Sequence, residues 1–179
     1  PVRPGTLSLD DLKRYQPRER EALCFDHTAA AKALQVCGFP PPSSGAIAIG
    51  QIMGLLARTP QGAQPLTGVP GADWLHRYME ASRLAFADRA QYLGDPDFVT
   101  PPAGSWNSLL APRYLDERAK LITPARAPQA NPGQPGGVAS AWARMPDQPE
   151  YGTSHISIVD RFGNALAMTT TIEAGFGSR

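Results

Sequence analysis

Apolar residues recur every three to four positions from 72 to 93: Leu75, Tyr78, Met79, Ser82, Ala85 and Phe86 share one side, while Arg77, Glu80, Arg83 and Asp88 fall largely on others. That spacing predicts a long amphipathic helix with this stripe as its buried face. Residues 46–57 are apolar at almost every position and predict a buried helix, with Ser43 or Ser44 as cap and turn former. Ser8 ahead of Asp10 and Asp11 predicts a short helix that ends near Tyr15, before Pro17. Pro112 opens a further helix over 112–122. Elsewhere the period drops to two. Residues 153–160 set Thr153, His155 and Ser157 against Ser154, Ile156 and Ile158, and residues 165–172 follow after Phe162-Gly163-Asn164, a hairpin signal. Short apolar runs at 21–25 and 34–39 predict a second hairpin. Gly94-Asp95-Pro96-Asp97 predicts a turn that Asp95 and Asp97 shape, in preference to a metal site. His27 and His76 have no evident partners.

Composition adds boundaries. The 19 prolines and 17 glycines gather largely in 58–71 and 123–149. Both read as loops, and 123–152 as a mobile linker. The length of 179 residues suits one domain with a core. A net charge of +1 offers no strong field for nucleic acid or an anionic membrane. No apolar run reaches the ~18 residues of a membrane span. The chain opens on Pro-Val-Arg-Pro and stops after Gly-Phe-Gly-Ser-Arg, and both ends read as cuts. Cys24 and Cys37 lack metal-ligand spacing. They read either as two small buried apolar residues, the commoner case, or as a cross-strand disulfide. A turn centred between Ala30 and Ala31 sets them opposite each other, as the second reading requires.

Candidate chemistry lies where the linker meets the first strand of the last hairpin. An N→O acyl shift at Gly152–Thr153 needs the Thr153 hydroxyl to attack the preceding carbonyl, in a backbone shape that glycine tolerates. Scission leaves Thr153 with an α-amine of pKa about 7.7–8.0, so nucleophile and base share one residue. If Phe162-Gly163-Asn164 is the loop, Thr153 lies opposite Glu173 and His155 opposite Thr171. An odd loop gathers Thr153, Thr171 and Glu173 on one face; an even one parts them. These features alone are weak, since a threonine that starts a strand is usually structural.

Several segments together carry a resemblance. Gly152-Thr153-Ser154-His155-Ile156-Ser157-Ile158-Val159-Asp160 resembles the start of the small subunit of gamma-glutamyltranspeptidases. Gly163-Asn164-Ala165, residues 166–172 and Phe176-Gly177 continue that likeness. Upstream, Pro40-Pro41-Pro42-Ser43-Ser44-Gly45 resembles the large-subunit P-P-P-S-S-G-G segment, with Ala46 in place of the last glycine. Glu80-Ala81, Phe86-Ala87-Asp88-Arg89 and Tyr92-Leu93-Gly94-Asp95-Pro96-Asp97-Phe98 follow in family order.

The resemblance implies an α+β fold, part of an αββα sandwich of the N-terminal-nucleophile hydrolase type, whose precursor cuts itself in two. Residues 1–152 would end the large subunit and 153–179 begin the small one. Thr153 is then the acyl-accepting nucleophile, Thr171 the threonine that holds it, and Glu173 the contact for the glutamyl α-amino group. The implied reaction is gamma-glutamyl transfer and hydrolysis on glutathione or similar amides, with water or an amino acid as acceptor. It calls for no cofactor and no metal. The implied partners are that substrate and the remainder of both subunits, not nucleic acid. The implied compartment is the periplasm or the exterior. His155 belongs to the motif but is assigned packing or hydrogen bonding. The family's α-carboxylate-binding arginine and its oxyanion hole fall outside this sequence, so the isolated piece is expected to be inactive. The alternatives are a cephalosporin acylase-like or oxamate amidohydrolase-like enzyme, or an unprocessed binding or structural relative.

Overall fold

The computed structural model describes residues 7–29, 31–60, 68–137 and 152–171. They form two compact units rather than the one domain that length predicts: Glu19–Pro146, and Pro1–Arg18 joined with Asp147–Arg179.

Within Glu19–Pro146, strands β1 (Leu23–Ala29) and β2 (Lys32–Gly38) form an antiparallel hairpin. Its register is the one predicted, with Cys24 opposite Cys37, and the two sulfurs are bonded. The disulfide reading holds over the buried-residue reading, for both cysteines lie on the exposed face. Ala31 takes up the turn at φ +63, a left-handed shape that a Cβ disfavours. Leu23, Phe25 and His27 on the other face are half-buried. They face helix α2 (Gly45–Leu56), where a Cβ on Gly50 would stand 3.0 Å from the Phe25 ring. A Cβ on Gly54 would stand 2.7 Å from Leu115. Close approach along α2 therefore depends on two glycines one turn apart.

Ser44 is the N-cap residue of α2 but makes no capping bond; its hydroxyl accepts instead from Arg89 Nε at 2.9 Å. Ser43 Oγ accepts the Gly45 amide at 3.4 Å, as a turn former would.

Helix α3 (Ala72–Tyr92) forms where its period predicts, yet buries a different face. Leu75, Tyr78, Met79 and Phe86 are 47%, 39%, 57% and 51% exposed, while Ala81, Leu84, Asp88 and Tyr92 are buried; of the predicted stripe, Ala85 is buried as expected. The reason is polar. Glu80 and Asp88 are hydrogen-bonded inside the unit, so hydrophobicity alone assigns them to the wrong side. Leu84 and Ala81 meet Leu55, Leu56, Leu115 and Ile122 in one core cluster; Tyr92 meets Ile47, Leu109 and Tyr114 in another. Helix α4 (Pro112–Ala119) stops short of 122, and Ile122 is carried into the core by a turn.

The chain after α4 is not free linker up to residue 137. Thr123 O lies 2.8 Å from His76 Nε2, giving that histidine a partner. Arg83 donates to Ala127 O at 2.8 Å, and Glu80 accepts from Ala127 N at 3.2 Å. Asp88 accepts from Gly133 N at 2.8 Å, and Tyr92 donates to Gly133 O. Buried acceptors on α3 thus tie down a segment that its Pro and Gly content marks as loose. The part of the predicted linker at 138–151 lies outside the described residues.

In the other unit, α1 (Leu9–Arg14) carries the predicted Ser8 cap, completed as a capping box by Asp11. Its remaining described part is the hairpin of β3 (Ser154–Val159) and β4 (Ala165–Thr170). The expected covalent boundary at 152–153 falls inside this unit.

Candidate active site

The site begins with the turn that joins β3 to β4. Asp160 Oδ1 accepts from the amides of Phe162 at 2.8 Å and Asn164 at 2.9 Å, and Oδ2 accepts from Asn164 Nδ2 at 2.7 Å. These bonds, with that from the Asn164 side chain largest, hold the Asp160 carboxyl below its ordinary value. Asp160 N also donates to Asn164 O, so three residues, Arg161-Phe162-Gly163, span the gap, with Gly163 at φ +85. The expected odd loop is present, shifted by one residue from Phe162-Gly163-Asn164.

That shift moves every pair by two positions and leaves the faces unchanged. His155 lies opposite Thr169, not Thr171, and Ser154 lies opposite Thr170. One further step sets Thr153 against Thr171, where Glu173 was expected. The Thr171 hydroxyl donates to the Gly152 carbonyl at 3.2 Å. Gly152 sits at φ +108, outside the range that side-chain-bearing residues favour. Gly152, Thr153 and Thr171 thus gather at the open end of the hairpin. Glu173 lies outside the described residues.

His155 has two partners. Its Nδ1 lies 2.8 Å from Thr169 Oγ1 and its Nε2 2.9 Å from Ser157 Oγ. The alternation of 153, 155 and 157 places the ring on the threonine face. The cross-strand hydroxyl becomes identifiable only with the register.

A second polar constellation, in Glu19–Pro146, was not foreseen as a unit. Asp88 accepts from Gln51 Nε2 at 2.8 Å, Tyr114 Oη at 2.7 Å, Arg118 Nη2 at 2.8 Å and Gly133 N at 2.8 Å. Burial pushes the Asp88 carboxyl above its ordinary value, against the pull of Arg118 and the other donors. Burial, then the Asp88 charge, pushes the Tyr114 phenol far up. Tyr114 and Arg118 also line a cavity of about 960 Å³ with Gln129, Asn131 and Gly133; of the predicted site residues, the described ones, Gly152, Thr153 and Thr171, are not in its lining. The sequence signal was Asp88 in the Phe86-Ala87-Asp88-Arg89 segment, but nothing there reveals its four donors. Asp95 and Asp97 shape a turn, with Asp95 Oδ1 accepting the Asp97 amide at 3.0 Å. Arg20 lies 3.7 Å from Asp95 and 3.3 Å from Asp97.

Chemically, the hairpin end offers a carbonyl that accepts a hydroxyl hydrogen bond, in a glycine conformation, immediately before a threonine. Helices with paired antiparallel strands, and the likeness to solved relatives, place the chain in the α+β class with the N-terminal-nucleophile hydrolase fold. The sequence profile of Gamma-glutamyltranspeptidase matches residues 3–179, and the chain belongs to that family. It is 34% identical over 174 residues to the glutathione hydrolase proenzyme of Escherichia coli (strain K12), covering 97% of this chain and 27% of that protein. It is 31% identical to the acylase ACY 1 proenzyme of Pseudomonas sp. (strain V22), again over 97% of this chain and 27% of that protein. A solved gamma-glutamyltranspeptidase from Pseudomonas nitroreducens, complexed with L-DON, aligns with a TM-score of 0.59 and 30% identity, over 70% of this chain and 36% of that one. The chain therefore spans about a quarter of the length of the curated relatives it matches.

Proposed function

We propose that this chain is the junction of a precursor that cuts itself at Gly152–Thr153 to become a gamma-glutamyltransferase and glutathione hydrolase. The observation that carries the reading is the Thr171 hydroxyl on the Gly152 carbonyl, with Gly152 at φ +108. The proenzyme names of relatives support it. In the precursor, Thr153 Oγ attacks the Gly152 carbonyl carbon, and Thr171 donates to the oxygen as charge builds on it. The C–N bond breaks as the acyl group moves to Oγ, and the proton lost from the Thr153 hydroxyl ends on its own departing nitrogen. Water then hydrolyses the ester, leaving a carboxylate on Gly152 and a free amine on Thr153. Residues 1–152 end one subunit and 153–179 begin the other.

In the mature enzyme the Thr153 amine takes the hydroxyl proton, directly or through water, as Oγ attacks the gamma-glutamyl amide. The amine product leaves with a proton, and water or an amino acid releases the acyl group from Thr153. Thr171 positions Oγ, and the Glu173 carboxylate receives the substrate ammonium. This chemistry requires neither cofactor nor metal. The Cys24–Cys37 disulfide supports a periplasmic or secreted enzyme. Among the described residues, no helix is long and apolar enough to cross a membrane.

The acylase relative favours one alternative, the same nucleophile serving a different acyl pocket. Intact mass of the full-length protein tests the cleavage: two subunits, the smaller beginning at Thr153, are expected, and one uncut chain would sink it. Turnover of a gamma-glutamyl anilide against a glutaryl amide separates the two substrate readings.

A further inference from the structure

We propose that His155 is a positioning residue, a clamp that keeps the open end of the β3/β4 hairpin closed and so holds the Thr171 hydroxyl on the Gly152 carbonyl; the proposal rests on the reading of Gly152–Thr153 as the scissile bond. The ladder ends at Ser154 and Thr170, and beyond it Thr171 reaches back to Gly152 O over 3.2 Å. Strand ends fray most readily, because the terminal pair has support on one side only. His155 is one position inside that end. Its ring joins the strands through Thr169 Oγ1 at 2.8 Å and is steered along β3 by Ser157 Oγ at 2.9 Å.

The ring is suited to this task. A neutral imidazole donates at one nitrogen and accepts at the other, so both hydroxyls are satisfied whichever tautomer is present. The turn end of the hairpin already has its own fastening, the Asp160 carboxylate on Phe162 and Asn164. No comparable side-chain bond between the strands joins their open end among the described residues, apart from His155 with Thr169 and Thr171 with Gly152. Losing the clamp therefore acts selectively on the end that carries the reacting carbonyl. His155 itself contacts neither Gly152 nor Thr153 in any hydrogen bond of the structure and needs no proton-transfer role.

The test uses the full-length precursor and follows the appearance of the two subunits by intact mass. His155→Ala and Thr169→Val are each expected to slow cleavage about five- to tenfold, the typical worth of one hydrogen bond. The double variant is expected to be no slower than either single one, since both break the same contact. His155→Gln, which keeps a donor and an acceptor, is expected to recover most of the rate. Thermal midpoints of the uncut Thr153→Ala forms should match with and without His155, which sets positioning apart from general stability. Amide exchange in those forms should rise at 154 and 170 and stay unchanged at 162 and 164. Wild-type cleavage rates in His155→Ala, multiplicative effects of the two single changes, or uniform exchange would overturn the clamp alone. An uncut wild-type precursor would instead overturn the cleavage reading beneath it. If His155→Ala does not fold, Thr169→Val and His155→Gln decide the matter by the same rates.

Discussion

The Asp88 carboxylate accepts the Gly133 amide at 2.8 Å and so joins the C-terminal part of α3 to a segment beyond α4. All four of its partners are donors: Gln51, Tyr114 and Arg118 side chains and the Gly133 backbone. An asparagine there must turn its NH2 toward two of them and leave the Arg118 charge without its counter-ion. Asp88→Asn is expected to cost about 3–5 kcal/mol, the usual loss when one partner of a buried ion pair is removed. Tyr114→Phe deletes one donor of the four and should cost only about 0.5–1.5 kcal/mol. Urea unfolding of the two variants checks the order; equal losses would show that Asp88 is not the centre of this network.

At the candidate scissile bond, the two threonines are expected to fail differently. Thr153→Ala removes the attacking oxygen and should leave the precursor uncut. Thr171→Val keeps the shape and loses one donor to the carbonyl, which typically costs about 10²–10³ in rate. Gly152→Ala places a Cβ on a backbone at φ +108 and should slow cleavage by shifting the carbonyl away from Thr171, although among the described residues, chain neighbours aside, no atom stands within 4 Å of that Cβ. Time courses by mass spectrometry separate the three. Cleavage of Thr171→Val at the wild-type rate would remove Thr171 from the mechanism.

The hairpin of Cys24 and Cys37 gives a redox prediction. The bridge closes a loop with a sequence separation of 13. Loops of about this size give roughly 3 kcal/mol of stabilisation in the chain-entropy account. Replacing both cysteines with serine should lower unfolding free energy by about 2–3 kcal/mol. Dithiothreitol should do the same to the native protein and nothing further to the double variant. A native protein indifferent to reductant would contradict the bond.

What the sequence reveals here follows from how each feature is encoded. The turn between Ala29 and Lys32 is legible because the flanking apolar runs are symmetric about it. The shared face of Thr153 and Thr171 is legible because parity needs only an odd loop. The pairing itself is off by two, for Asp160 and Asn164 close the loop with side-chain bonds that alternation does not report. The buried face of α3 is misjudged because Glu80 and Asp88 look like surface residues until their donors are found. Arg83, one turn along α3 from Glu80, is a local donor, but the others come from α2, α4 and the chain at 127–133, distances in sequence that no local pattern spans. The identity of Thr153 as a candidate nucleophile owes more to family likeness than to local physics.

The Asp160 turn should weaken in acid. Hydrogen bonds from the Asn164 side chain and from backbone amides favour its charged form and lower its folded-state pKa. A carboxylate held below its unfolded value of about 3.9 contributes stability that is present above that value. The contribution is lost as pH falls through the lower, folded-state value. Between pH about 5 and 2, cross-strand contacts next to the turn should therefore fade in the native hairpin, and the Phe162 and Asn164 amides should exchange faster. Asp160→Asn should remove the acid dependence, since the asparagine carbonyl can accept from the turn amides but carries no titrating proton. Its hairpin should be weaker than the native one at neutral pH and match it at the acid end. Nuclear magnetic resonance of the two proteins over that range reads both. An acid transition that survives in Asp160→Asn would assign it to another group.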